Sequence, residues 1–352
     1  MFASSARELI GLDMGSSAIK MVEIKDTKQG YFLSRFGLAP LPPDAVVEGE
    51  VVDRGAVVAA IRKAQSDLGI RTKDVASCVS SKSVIIKKIS LPAMTEYELE
   101  EQIPFEAEQH VPFNIDEVYL DYQPLETVSL ESDQMDVLLV AAKKDFVEQH
   151  RDVLKAAGLN CGVVDVDVFA LENIYEANYP LSEEDVIALV DLGAGMMKVN
   201  ILVTGVTAFN RDVPLGGRVF TEEIQRQWNL GFEDAEALKR GQELPGIDIQ
   251  DAQALLSNQG MALVSELENS FEFFLATPFG RPVTKIYLSG GTSKTQGLIP
   301  LMSERTGLPV EILNPFQQVA WDRKKYTAED LAEMAPFIAV AAGLALRRGK
   351  ER

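Results

Sequence analysis

Short runs in which apolar and polar residues alternate open this chain and recur near its middle. The first set reads ELIGLDM, AIKMVEIK and a run near YFLSRFGLAPL, with Gly30 between the last two. The second starts at Val186 and reads VIALVDLG, MKVNILVTG and VTAFNRDVP. Alternation of this kind, punctuated by glycine, predicts two three-stranded meanders. A helix follows the first over about 54–69, where apolar residues return near every 3.6 positions and Gly69 supplies a stop. VASCVS and SVIIKKISLP predict two further strands. After the second meander, Gly216–Gly217 leads into the helix RVFTEEIQRQWN, and a mostly helical stretch runs on to about Thr277. KIYLSGGTS predicts a strand ending in a glycine turn, QGLIPLMSERTG a helix, VEIL a short strand, and 335–347 a buried final helix. Meander, helix and strands repeat at a spacing of roughly 175 residues, which predicts two related α/β domains around a cleft and not a short-period solenoid.

From about 88 to 160 the texture changes. TEYELEEQIPFEAEQHVP is rich in glutamate, and Thr95 with Glu98 forms a capping box that opens a helix. Pro104 is expected to kink or break that helix unless it lies in a new first turn. Two strands, VYLDYQPLE and QMDVLLVAAK, precede a helix from Lys144 to Ala157 that closes at Gly158. This block has the look of a compact insert. CGVVDVDV then returns to a buried strand and runs into the helix FALENIYEAN.

Composition narrows the classes. At 352 residues there is material for two domains of ordinary size. With 34 basic and 53 acidic residues the formal charge is −19, a surface that repels phosphate backbones and argues against nucleic-acid partners. The basic tail RRGKER is expected to be a short solvated end. Cys78 and Cys161 have no metal or disulfide spacing, sit in apolar surroundings, and fit buried, reduced thiols in a cytoplasm. The N-terminal run shows no signal-peptide core, and the longest apolar stretch, APFIAVAAGLAL, is too short to span a bilayer. Membrane association is therefore expected only through a partner.

The chemistry-bearing feature is a repeated Asp-x-Gly with a lysine seven positions after the aspartate: DMGSSAIK from Asp13 to Lys20, and DLGAGMMK from Asp191 to Lys198. Each lies between two apolar strands. A glycine turn brings backbone N–H groups close to an anion, and the adjoining aspartate can hold a metal ion. Two such hairpins facing each other grip a polyphosphate and its cation. In this reading Asp13 and Asp191 face the metal, while Gly15, Ser16 and Ser17 supply N–H groups and hydroxyls, as does the backbone of Gly193, Ala194 and Gly195. Lys20 reaches the same anion or is a solvated strand residue; Lys198 is a phosphate contact or a surface charge. Asp167 is an N-cap and a candidate to position metal or attacking water, with Asp165 as its substitute. SGGTS, with Gly290, Gly291 and Thr292, lets backbone pass close to a nucleoside. There is no Walker A pattern and no GxGxxG, and the two histidines, His110 and His150, are expected in exposed polar roles.

These pieces, in this order, resemble the signatures of the actin-like ATPase superfamily. DMGSS is similar to its first phosphate loop, Asp165–Leu171 to the first connecting segment and DLGAG to the second phosphate loop. LSGGTS is similar to the adenosine loop, and AVAAGLAL to the second connecting helix, where Ala341 and Gly343 allow close packing. More of the chain, including SVIIKKISLPAMTEYELEEQIPFEAEQHVPFNIDEVYLDYQ and PLGGRVFTEEI followed by AEALK, resembles the type IV pilus assembly PilM family. The resemblance implies a two-domain actin-like (ribonuclease H-like) α/β ATPase fold with a small inserted α/β subdomain. The expected division is 1–87 and 161–185 for the first domain, 88–160 for the insert, and 186–334 for the second domain with a helical subdomain at about 218–282. A C-terminal helix at 335–352 is expected to return to the first domain.

It also implies ATP and Mg2+ as cofactors, with Gly217, Glu236 and Lys239 near the nucleotide, although Glu236 and Lys239 are equally an exposed helical pair. The implied partner is the N-terminal cytoplasmic tail of the inner-membrane protein PilN, lying between insert and first domain. Other pilus machine components and a homo-oligomer are further possible partners, and the location is cytoplasmic, peripheral to the inner membrane. Methionines at 196 and 197 stand where actin-like ATPases commonly place a threonine, so any hydrolysis is expected to be slow. A small-molecule kinase, with Asp165 or Asp167 as base, and a filament former are the alternative readings.

Overall fold

The computed structural model describes residues 7–80, 83–125, 133–182 and 184–349. Its strands, in chain order, begin with β1 Arg7–Glu8, β2 Ile10–Met14, β3 Ala18–Thr27, β4 Gly30–Pro40, β5 Val46–Val47 and β6 Glu50–Val51. Helix α1 covers Arg54–Asp67, and β7 Asp74–Val79 and β8 Val84–Pro92 follow. Next come α2 Glu96–His110, β9 Val118–Leu125, β10 Gln134–Lys143, α3 Lys144–Ala157, β11 Asn160–Val166 and α4 Asp167–Asn178. The second half holds β12 Val186–Leu192, β13 Met197–Val203, β14 Val206–Val213, α5 Arg218–Trp228, α6 Phe232–Lys239 and α7 Ile249–Leu275. It closes with β15 Lys285–Ser289, α8 Leu298–Thr306, β16 Val310–Ile312, β17 Ala320–Trp321, α9 Ala328–Leu344 and β18 Arg348–Gly349.

Two sheets repeat one topology. The first runs β11-β7-β2-β3-β4-β17 and the second β14-β13-β12-β15-β16. In each, a strand pairs antiparallel with its hairpin partner on one side and parallel with a later strand on the other. Helices α4 and α9 lie where the two sheets meet, and their apolar residues share one core with both: Ala170, Leu171, Ile174, Ile338 and Ala341 with Leu33, Ala76, Leu189 and Tyr287. The contact is backbone-close. A Cβ at Gly343 would overlap the carbonyl of Ala170 on α4, and one at Gly11 on β2 would overlap the carbonyl of Ala341. Thr327 caps α9 with Asp330 as a reciprocal box.

The insert is a three-stranded sheet, β8-β10-β9, covered by α2 through Leu99, Ile103 and Ala107. Its sheet begins at Val84, which pairs with Ala142. Helix α3 bridges the insert and the first lobe: Val147 packs with Val84 and Val140 of the insert sheet, while Val153, Leu154 and Ala157 are buried against α1 and the first sheet. The capping box of Thr95 and Glu98 is present. Helix α2 does not break at Pro104, because that residue and Glu100, whose carbonyl loses its amide donor, are both exposed to water. Among the described residues, no helix is long and apolar enough to cross a membrane.

Candidate functional site between two opposed hairpins

The turns β2–β3 and β12–β13 are the two repeated motifs, and they share a register. Asp13 lies opposite Lys20 and Asp191 opposite Lys198. The turns are closed alike, by Gly15 N–H to the Ala18 carbonyl at 3.1 Å and Gly193 N–H to the Met196 carbonyl at 2.9 Å. They meet across the cleft, since a Cβ on Gly195 would sit 3.7 Å from Ser16 Oγ. Ser17 is exposed, and its carbonyl accepts from Leu41 N–H at 2.9 Å.

The charges are wired differently in the two turns. Lys20 Nζ donates to Asp13 Oδ2 at 2.7 Å and lies over Gly15, where a Cβ would come within 2.6 Å of it. Burial pulls the Lys20 pKa down, but Asp13 and Asp191 together more than offset this and raise it. Lys198 does not pair with its own hairpin aspartate. It is ion-paired with the buried Asp167 at the start of α4; Lys198 itself is half-buried and firmly protonated. Burial is the main force lifting the Asp167 carboxyl to about 6, with Asp212 adding to it against Lys198. Asp191 Oδ1 instead accepts from Ser289 Oγ at 2.8 Å, and burial raises its pKa against Lys198 and Lys20. Lys198 is thus neither a surface charge nor a free phosphate hook.

Four further expectations change here. Asp167 is not the N-cap of α4; Val166 holds that place, and Asp167 as first helical residue accepts from Val168 N–H at 2.8 Å. Asp165 is instead held in an ion pair: Arg347 donates to both carboxylate oxygens, at 2.6 and 3.0 Å, and Val166 N–H to Oδ1 at 2.8 Å. The same pair, with Arg348 3.5 Å from Asp26, shows that the tail is not a wholly solvated end; residues 350–352 lie outside the described residues. His150 is buried on α3, with Nε2 2.9 Å from Ser77 Oγ. Ser77 gives its proton to the Leu12 carbonyl at 2.7 Å, which makes the imidazole the donor. Burial holds this histidine down at about 4.

The second turn is knitted into the α5–α6 side of its lobe. Gly217 N–H and Arg218 N–H donate to the carbonyls of Gly193 and Ala194 at 2.9 and 2.7 Å. Thr292 Oγ1 also donates to Gly193, at 2.8 Å. Gly216 is obligatory, as a Cβ would lie 2.6 Å from three backbone atoms of the turn, and one on Gly217 would overlap Thr292. Lys239 is buried and donates to Thr221 Oγ1 at 2.9 Å and to Glu236, so these residues are not an exposed helical pair. Gly290, at φ 82°, passes so close to Leu192 that only glycine fits, and Gly291 faces Phe337, whose ring Arg240 approaches at 5.8 Å. Met196 and Met197 are both buried. Asp13, Gly15, Ser16, Lys20, Asp191, Gly193, Ala194 and Gly195 thus lie in the two opposed turns, and Gly217, Glu236, Lys239, Gly290, Gly291 and Thr292 lie in the segments that pack around the second. Ser289, Asp212, Thr221 and Arg240 join them without having been singled out, for their partners are distant in sequence.

A model of the family described as type IV pilus assembly protein PilM matches residues 11–349. The chain belongs to the PilM family. A solved PilM-PilN type IV pilus biogenesis complex is similar to it at 32% identity, over 97% of this chain and 98% of that one, with a TM-score of 0.83. MreB5 of Spiroplasma citri bound to AMPPNP is similar at 13% identity over 96% of this chain and 94% of that one, with a TM-score of 0.52, a likeness of fold. The cell division protein FtsA of Pseudomonas aeruginosa is 24% identical, covering 89% of this chain and 84% of its own. This PilM-family chain thus has the α/β actin-like ATPase fold, duplicated around the cleft just described.

Proposed function

We propose that this chain is an ATP-binding scaffold of type IV pilus assembly that docks the N-terminal cytoplasmic peptide of the inner-membrane protein PilN. In this reading its grip on that peptide changes with nucleotide state. The observation that carries the nucleotide half is the opposition of the hairpins, with Ser16 against Gly195 and Lys20 in the field of both Asp13 and Asp191. The residues fit a metal-bound triphosphate. Glycines at 15, 193 and 195 leave bare backbone at the turns, and Lys20 can exchange a side-chain partner within its own hairpin for phosphate oxygen. Among the described residues no group of three or more His, Cys, Asp or Glu forms a metal cage. Mg2+ needs none, since one or two carboxylates, here Asp13 and Asp191, suffice beside phosphate and water oxygens. Bound there, the ion would neutralise phosphate charge.

Turnover is slow at most in this reading. Asp167, the carboxylate nearest the role of orienting water, is tied to Lys198, and buried Met196 and Met197 offer no hydroxyl to the terminal phosphate. The peptide half is supported by the likeness to the PilM-PilN complex. We assign the peptide to the surface over the junction of insert and first lobe, whose interior is the closed cluster of Val79, Val84 and Val147 with Phe146 packed against it. Such docking would hold the chain at the inner membrane through its partner. Titrating Mg-ATP with and without the PilN peptide, and the peptide with and without Mg-ATP, tests both halves. Equal coupling factors in the two directions are expected. No ATP binding at millimolar concentration would remove the nucleotide half, and unchanged affinities would remove the coupling.

A further inference from the structure

Arg218 and Asp44 are 174 positions apart in sequence and belong to opposite lobes, yet Arg218 Nη1 donates to Asp44 Oδ1 at 2.6 Å. What gives the pair significance is what each partner is fastened to. Asp44 ends a stiff arm, Leu41-Pro42-Pro43-Asp44, whose first N–H is bonded to the Ser17 carbonyl of the first turn. The arm stops at φ 59° on Asp44, a left-handed conformation that aspartate and asparagine tolerate better than other side chains. Arg218 is the first residue of α5, and its own N–H is bonded to the Ala194 carbonyl of the second turn. The neighbouring Gly217 N–H holds the Gly193 carbonyl, so neither turn moves without carrying its half of the pair.

We propose that Asp44 and Arg218 are a positioning pair that sets the spacing of the two turns and thereby the rate at which a bound nucleotide leaves. This rests on the nucleotide reading above. The two side chains are well exposed, at 66% for Asp44 and 37% for Arg218, so the pair adds little to overall stability. Its energy falls instead on the difference between open and closed lobes, and a gap of that size changes an escape rate about two- to fivefold.

The test is a double-mutant cycle on the full chain. Asp44→Asn keeps the left-handed preference and removes only charge; Arg218→Gln removes the other charge; the double variant and Arg218→Lys complete the set. Dissociation of a fluorescent ATP analogue is followed by stopped flow at low and high salt. Equal acceleration of about two- to fivefold in both single variants and in the double, with Arg218→Lys near wild type, is the expected result. High salt should bring wild type to the same rate, since an exposed pair is screened. Unchanged rates at low salt, or effects of the two substitutions that add, overturn the pair. Spin-label distances between the lobes, measured without nucleotide, decide separately if wild type binds no ATP: broadening in Asp44→Asn supports the pair, and an unchanged distribution overturns it.

Discussion

The two hairpins have the same spacing, the same Asp–Lys register and the same one-turn closure, yet their lysines do opposite things. Lys20 stays within its turn on Asp13, whereas Lys198 leaves Asp191 for Asp167, 31 positions away on α4. The difference lies in what stands behind each turn. Behind the second, α4 begins with a buried carboxylate that needs a cation; behind the first, Ser77 and His150 form a neutral layer. A shared motif thus keeps one lysine on its own turn and makes the other a tie to a buried carboxylate on α4.

The sharpest way to break this contrast is to remove each lysine in turn. Lys198→Met strands a buried Asp167 carboxylate and should cost about 3–5 kcal/mol in urea unfolding, most of it recovered by adding Asp167→Asn. Lys20→Met, at a pair with some access to water, should cost no more than about 1–2 kcal/mol. Equal losses would dissolve the distinction.

The strands leading into the turns differ too. Two positions before the aspartate stands Gly11 in the first and the buried Leu189 in the second. Gly11→Ala forces a methyl onto the Ala341 carbonyl and should destabilise by about 3 kcal/mol, read as a fall in thermal midpoint. A variant as stable as wild type would mean that α9 does not seat on β2 as described.

Much of this was readable beforehand, and the reasons the rest was not are physical. The meanders, the Thr95 box and the matched Asp-x-Gly turns are local patterns, and local patterns carry their own geometry. The partner of Lys198, the Arg347 clamp on Asp165 and the burial of His150 against Ser77 depend on residues 31, 182 and 73 positions away. Helix α3 reads as part of the insert because it follows the insert's strands. Only the packing of Val153 and Leu154 on the first lobe shows that it also belongs to that lobe's core. Continuity through Pro104 likewise turns on exposure, which periodicity does not reveal.

Acidity offers a further contrast. His150, behind the first turn, titrates at about 4 against an ordinary 6.5, so the folded state binds its proton less readily than the unfolded chain. That contribution is present above pH 6.5 and is lost as pH falls toward 4, at about 3 kcal/mol in all. Glu172 on α4, bonded to Thr207 of β14, is raised by burial from 4.5 to about 7. Its contribution has the opposite sign, present below pH 4.5 and lost as pH rises through 7, at about 3 kcal/mol. Unfolding measured from pH 4 to 7.5 should therefore gain a falling slope in His150→Gln and a rising slope in Glu172→Gln relative to wild type. Parallel profiles for all three proteins would contradict these assignments.

The smallest effect in stability is the one of most interest for binding. Lys20→Met should weaken Mg-ATP by about 10- to 100-fold, the value of a charge-assisted hydrogen bond, with the fold intact by circular dichroism. Unaltered affinity would leave Lys20 a companion of Asp13 and no more.

Where Gly343 lies on Ala170 and Gly11 on Ala341, the central helices and the first sheet touch through bare peptide groups. At those two points a single added methyl would have to push whole backbones apart, and the apolar side chains around them already fill one core shared by both sheets. The middle of the molecule therefore tolerates the least change in side-chain volume.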